Sequence, residues 1–250
     1  MKVQYCSDLH LEFEVNINWM NIHPLHPVGD ILIIAGDTDY LGEGFGDNEF
    51  FKRVGDQYEQ VFLIPGNHEY YGRYDASTGL NRTNEKLTSN ITLLNNDSVK
   101  LNATNFIFST MWSSIGRFKN EIKAGVADFH RIRYGNQLFR ALHFNRLHEY
   151  ALDFITKEVN KEGPKVLVTH HLPSELCNAE EFKGSIINDA FCVDKTEFIK
   201  NSDIDYWIYG HSHRNLPDFE IGGTKMVTNQ LGYIAYGENN LFQKDKYFEV

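Results

Sequence analysis

Five apolar runs in this chain each end on a short cluster of Asp, Asn or His residues. The runs are Val3 to Cys6, Ile31 to Ala35, Val61 to Ile64, Val166 to Thr169 and Tyr206 to Tyr209. The clusters that follow are Asp8-Leu9-His10, Gly36-Asp37, Gly66-Asn67-His68-Glu69, His170-His171 and Gly210-His211-Ser212-His213. Short continuous apolar runs bounded by turn formers read as strands buried on both faces. Ligand-type side chains at the carboxyl ends of several such strands are the arrangement of an α/β enzyme site.

The remaining segments fit the same class. Phe50, Phe51, Val54 and Tyr58 recur at helical spacing, and Phe144, Leu147, Ala151, Phe154 and Ile155 form the stripe of a long helix over 143–160 that Gly163-Pro164 stops. Residues 72–90 are polar and read as a loop and short helix over the site, and 91–110 as two further strands. After Gly210 come short strands at Asp218 to Ile221, Lys225 to Thr228 and Lys246 to Val250. With no repeat or linker in 250 residues, the expectation is one α/β domain over 1–250, built of mixed sheets packed face to face with helices outside.

The clusters together offer two aspartates, one Asn carbonyl and at least four imidazoles, a donor set suited to a pair of borderline divalent metals. In extended chain a spacing of two puts Asp8 with His10, and His211 with His213, on one side of the backbone. Asp37 lies at a glycine bend where its carboxylate can bind one ion or bridge two. Asn67 offers a carbonyl oxygen. His68 beside it is placed for a general acid, or for a cation facing developing phosphate charge, and Glu69 for holding an imidazole tautomer. His170 and His171 face opposite ways in a strand, so His170 is read as the ligand and His171 as a neighbour that supports it or touches substrate.

In this order the clusters resemble the calcineurin-like metallophosphoesterase family, whose pattern is D-x-H, GD, GNHE, H and GHxH. The match runs from residue 8 to 213. Thr110-Met111-Trp112, Thr169-His170-His171-Leu172-Pro173-Ser174 and Asn229-Gln230-Leu231-Gly232-Tyr233 resemble small bacterial and phage members, with Leu231 where those often carry Arg. The resemblance implies a four-layer α/β/β/α sandwich of two mixed β-sheets flanked by helices. It also implies two divalent ions (Mn, Fe, Zn, Co or Ni, with Mn favoured), one held by Asp8, His10, Asp37 and His213 and the other by Asp37, Asn67, His170 and His211. The implied reaction is hydrolysis of a phosphodiester or phosphomonoester by a metal-bridging hydroxide, with Asp37 and His68 as catalytic residues. Protein phosphatases of the family carry an Asp three residues beyond the bridging Asp; Tyr40 stands there in this chain.

Substrate choice is expected in a specificity insert over 112–148. There seven Lys/Arg stand against two acidic residues, and Trp112, Phe118, Phe129, Tyr134 and Phe139 alternate with Arg117, Arg131, Arg133 and Arg140. Asn67, His171, Arg131 and Arg133 are the expected substrate contacts, and the substrate a small phosphorylated or nucleotide-like molecule. A net charge of −10 disfavours non-specific duplex DNA, which sets a nuclease behind a small-molecule esterase. A scaffold that has lost catalysis would have lost ligands, and all are present.

No apolar stretch is long enough to span a bilayer, and Asp8 interrupts any amino-terminal secretory pattern, so a cytoplasmic location is expected. Cys6, Cys177 and Cys192 are odd in number and have no CxxC spacing, which reads as buried thiols. By the same reasoning, the N-x-Ser/Thr triplets at Asn81, Asn90 and Asn102 are chance matches.

Overall fold

The computed structural model describes residues 1–250 throughout. Its strands are β1 (Lys2–Cys6), β2 (Ile31–Ile34), β3 (Gln60–Leu63), β4 (Thr83–Lys86), β5 (Ile91–Asn95), β6 (Asp97–Leu101), β7 (Thr104–Ser109), β8 (Arg133–Tyr134), β9 (Gln137–Leu138), β10 (Lys165–Thr169), β11 (Tyr206–Ile208), β12 (Phe219–Ile221), β13 (Thr224–Val227) and β14 (Tyr247–Glu249). The helices are α1 (Glu14–Ile22), α2 (Glu49–Gln57), α3 (Lys119–Gly125), α4 (Asp128–Arg131), α5 (Ala141–Val159) and α6 (Thr196–Lys200).

Two six-stranded mixed sheets result, ordered β14-β1-β2-β3-β5-β4 and β12-β13-β11-β10-β7-β6. In the first, β1, β2, β3 and β5 run parallel, with Val3 opposite Ile31, Ile31 opposite Gln60 and Val61 opposite Ile91. In the second, β7, β10, β11 and β13 run parallel, with Val166 opposite both Phe106 and Tyr206. All five sequence clusters therefore leave the sheets in the same direction as their strands.

Strand alternation explains the layers. Val3 and Tyr5, Ile31 and Ile33, Phe106 and Phe108, and Val166 and Val168 point between the sheets and form the central core. The opposite faces bury Leu32, Ile34, Val61 and Leu63 under Met20 of α1 and Phe50, Phe51 and Val54 of α2. In the second sheet, Ile107, Leu167, Trp207 and Met226 pack under Ile155 and Val159 of α5 and Ile199 of α6. This is the expected four-layer α/β/β/α sandwich.

A fourth cluster covers the site end. Tyr70, Tyr71, Trp112, Phe129, Phe139 and Phe144 pack with Ile122 of α3, Val126 just after it and Leu147 of α5. Trp112, Phe129 and Phe139 are thus core residues rather than platforms for a base. The expected loop at 72–90 carries a 3-10 turn, Ala76–Leu80, and then the polar edge strand β4. Residues 91–110 form three strands rather than two, because Asn96 and Asn102 adopt left-handed turns between them, at φ of 50° and 53°. All three cysteines are buried free thiols.

Candidate metal centre

The strand ends bring seven of the predicted residues into two touching groups. In the first, His10 Nε2 lies 2.9 Å from His213 Nε2 and 3.8 Å from Asp37 Oδ2, and Asp8 Oδ1 lies 3.5 Å from His213 Nε2. In the second, His170 Nε2 lies 3.1 Å from Asn67 Oδ1, 3.1 Å from His211 Nδ1 and 3.4 Å from Asp37 Oδ1. Asp37 belongs to both groups through different oxygens. All of these residues are buried except His213, which is nearly so.

The backbone that does this is not extended. Asp8, His10, Asp37, His211 and His213 all lie in the left-handed region, with φ from 49° to 75°. Asp and His tolerate that region better than most side chains. The turn at Ser212 therefore sends His211 and His213 to different groups, where a period of two would have sent them to one. The glycines act by close approach. A Cβ on Gly66 would lie 2.1 Å from Asp37 Oδ1 and 2.7 Å from the His170 ring, and one on Gly36 would lie 2.5 Å from His170 Nδ1.

Hydrogen bonds on the outer atoms settle what the inner atoms present. His10 Nδ1 is 3.1 Å from Glu12 Oε1, His213 Nδ1 is 2.7 Å from Glu238 Oε2, and His170 Nδ1 is 2.9 Å from the Ala35 carbonyl oxygen. Each partner accepts only, so each ring carries its proton on Nδ1 and turns an Nε2 lone pair inward. Asn67 Nδ2 donates to Asp128 Oδ1 at 2.9 Å, which leaves its carbonyl oxygen facing His170. Lone pairs and carboxylate oxygens facing one another at these distances repel unless cations stand between them, so the donor set fits a pair of divalent ions. In the bare protein protons take that place. Burial works against a charged His170, but the charge and hydrogen bond of Asp37 prevail and hold it up to about 10. Burial likewise works to raise Asp37, yet His170 and His68 hold it well below the usual carboxylate range.

His68 stands beside these groups without joining them. Its Nδ1 is 2.8 Å from Glu12 Oε1, its Nε2 is 3.1 Å from the Tyr233 hydroxyl, and its ring stacks on Tyr71 at 4.1 Å. Burial lowers its pKa, but Asp37 and Glu12 outweigh burial and raise it. Glu69 holds no imidazole. Its carboxylate accepts instead from the backbone N–H groups of Gly66, Asp37 and Thr38 at 2.7, 3.0 and 2.6 Å, clamping two ligand loops together. Burial and the neighbouring Asp37 charge push it up to about 8.

A cavity of about 320 Å³ opens over the two groups, lined on one side by Gly125 to Asp128 and on the other by Asn178, Phe182, Ile187, Asn188 and Phe191. Arg131, Arg133 and His171 do not line it. Arg131 lies over the Tyr71 ring at 5.2 Å, Arg133 is exposed on β8, and His171 is buried against Trp112 and His211. Sequence reasoning missed Glu12, Asp128, Tyr233 and Glu238. Glu12 left a signal as the next step of the alternation Asp8, His10, Glu12, and Tyr233 as the end of the Asn229 to Tyr233 stretch.

Sheet order and ligand placement define a metallophosphoesterase. A family profile described as calcineurin-like phosphoesterase matches residues 1–215, and the chain belongs to that family, whose members use divalent metal ions to hydrolyse phosphoesters. It is 30% identical to an uncharacterized protein, L509, of Acanthamoeba polyphaga mimivirus, over 99% of this chain and 96% of that one. Among solved structures it resembles phosphopantetheinyl hydrolase of Mycobacterium tuberculosis, with a TM-score of 0.72 over 99% of this chain and 95% of that one, at 15% identity. That likeness concerns the fold.

Proposed function

We propose that this protein hydrolyses a small organic phosphodiester with two divalent ions. Asp8, His10, Asp37 and His213 would hold one ion, and Asp37, Asn67, His170 and His211 the other. The observation that carries the reading is the set of inward lone pairs fixed by Glu12, Glu238, Ala35 and Asp128. Bound there, the ions would neutralise phosphoryl charge and lower the pKa of the attacking water, and Mn suits the mixed oxygen and nitrogen donors.

The remaining work belongs to the chain. Glu12 holds His68 at Nδ1, so the imidazolium carries its second proton on Nε2, beside the Tyr233 hydroxyl on the cavity that both residues line. As the water oxygen, having released a proton to solvent, bonds to phosphorus and the opposite P–O bond breaks, the Nε2 proton of His68 passes to the departing oxygen. No Lys or Arg lines the cavity, so beyond the two ions only the His68 imidazolium meets phosphoryl charge, and its proton is committed to the departing oxygen. That favours a diester. Gly125 to Asp128 form one wall, which supports the 112–148 segment as a specificity insert.

The test is hydrolysis of bis-p-nitrophenyl phosphate against p-nitrophenyl phosphate by protein stripped of metal and refilled with Mn²⁺. Preference for the diester, lost in both Asp37→Asn and His68→Ala, is the expected result. Preference for the monoester would overturn the diester assignment, and no turnover with two ions bound would overturn the catalytic one.

A further inference from the structure

Two residues lining the cavity carry a buried polar atom that nothing in the protein satisfies: His211, at Nε2 within the metal groups, and Asp128, outside them. Asp128 begins α4 and is 1% exposed. Its Oδ1 accepts from Asn67 Nδ2 at 2.9 Å and from the Tyr71 hydroxyl at 2.6 Å, while its Oδ2 has no partner. A buried carboxylate oxygen left bare is costly, and such an orphan on a ligand-sized cavity implies a donor arriving with the ligand. The surroundings restrict that ligand further. Val126, Phe182, Ile187 and Phe191 supply apolar walls, and no Lys or Arg lines the cavity. An anionic group beside Asp128 would meet its charge with no Lys or Arg to offset the repulsion, since the one imidazolium there, His68, is directed to the departing oxygen.

We propose that Asp128 selects the organic half of the substrate, an uncharged apolar chain bearing a hydrogen-bond donor such as a hydroxyl, and rejects a second anionic group. This rests on the phosphodiesterase reading and adds the chemical class that the site accepts. Asp128 thereby holds the Asn67 amide and the Tyr71 hydroxyl on one oxygen and the substrate on the other.

Three p-nitrophenyl phosphodiesters test it, their second ester being propyl, 3-hydroxypropyl or 2-carboxyethyl. A hydrogen bond to a carboxylate corresponds to about 10- to 100-fold in affinity, so the Mn²⁺-loaded enzyme should prefer hydroxypropyl to propyl by that factor in kcat/KM. Carboxyethyl should fall below propyl. Asp128→Asn keeps an oxygen for Asn67 and Tyr71 and places an amide donor at the bare position. It should abolish the hydroxyl preference and narrow the discrimination against carboxylate, with propyl as the internal reference for any loss of metal. Equal turnover of all three by the unmodified enzyme, or unchanged ratios in the variant, would overturn the selection and leave the esterase reading standing. No turnover of any of them would overturn both.

Discussion

Acidification should destabilise this fold through one histidine that belongs to neither of the two candidate metal groups. His148 on α5 is 4% exposed, and its Nδ1 meets the Trp112 carbonyl oxygen. Burial lowers its pKa to about 4, with the carbonyl bond opposing and Lys195 adding to the depression. In the unfolded chain the same group titrates near 6.5. The unfolded state therefore binds more protons between these values, and stability falls as pH falls. Its contribution is fully present above about pH 6.5 and is lost on the way down to about pH 4. By about pH 5 the loss is about 2 kcal/mol, approaching about 3 kcal/mol below the folded pKa. Urea unfolding of the metal-free protein across this range, beside His148→Asn, measures it. Asn retains an N–H donor where Nδ1 stands but does not titrate, and the metal-site histidines cancel in the difference. The two stability curves should diverge by about 2 kcal/mol between about pH 7.5 and 5. Parallel curves would refute the assignment of that proton to His148.

Three other outcomes follow from the site. Glu12→Gln should cut kcat about 10- to 100-fold with a smaller change in KM, since it removes the charge that orients His68 and His10; steady-state kinetics with parallel metal analysis would detect it. Gly66→Ala should leave fewer than two ions per chain by elemental analysis, because the new methyl group occupies the space of Asp37 Oδ1. Chelation should lower the thermal midpoint and Mn²⁺ restore it. Free metal at a hundredfold over its dissociation constant adds about 2.7 kcal/mol per site, so an unchanged midpoint would mean that the lone pairs face no ion.

The sandwich was legible because its central strands are buried on both sides and so appear as uninterrupted apolar runs. β4 was not, since Thr83 to Lys86 is an exposed edge strand whose polar composition matches a loop. The proposed ligands were legible because each sits directly after its strand. Their partners were not: Asp128 reaches Asn67 across 61 residues and Glu238 reaches His213 across 25, distances over which no local spacing rule operates. Glu69 misled for a related reason. A carboxylate next to a histidine looks like its partner, yet the chain turns so that it meets three backbone amides instead.

The left-handed turns at Asp8, His10, Asp37, His211 and His213 have an evolutionary implication. Each keeps a side chain in backbone geometry that only glycine adopts freely, at about 1 kcal/mol or more apiece. A descendant released from catalysis would relieve that strain by drifting to glycine, most readily at His10, His211 and His213, since the Asp8 and Asp37 carboxylates also accept from the backbone N–H groups of His211 and His68. Persistence of Asp and His there is thus a signature of continuing selection for metal binding, and glycine creeping into those turns in a relative would date the lapse of its activity.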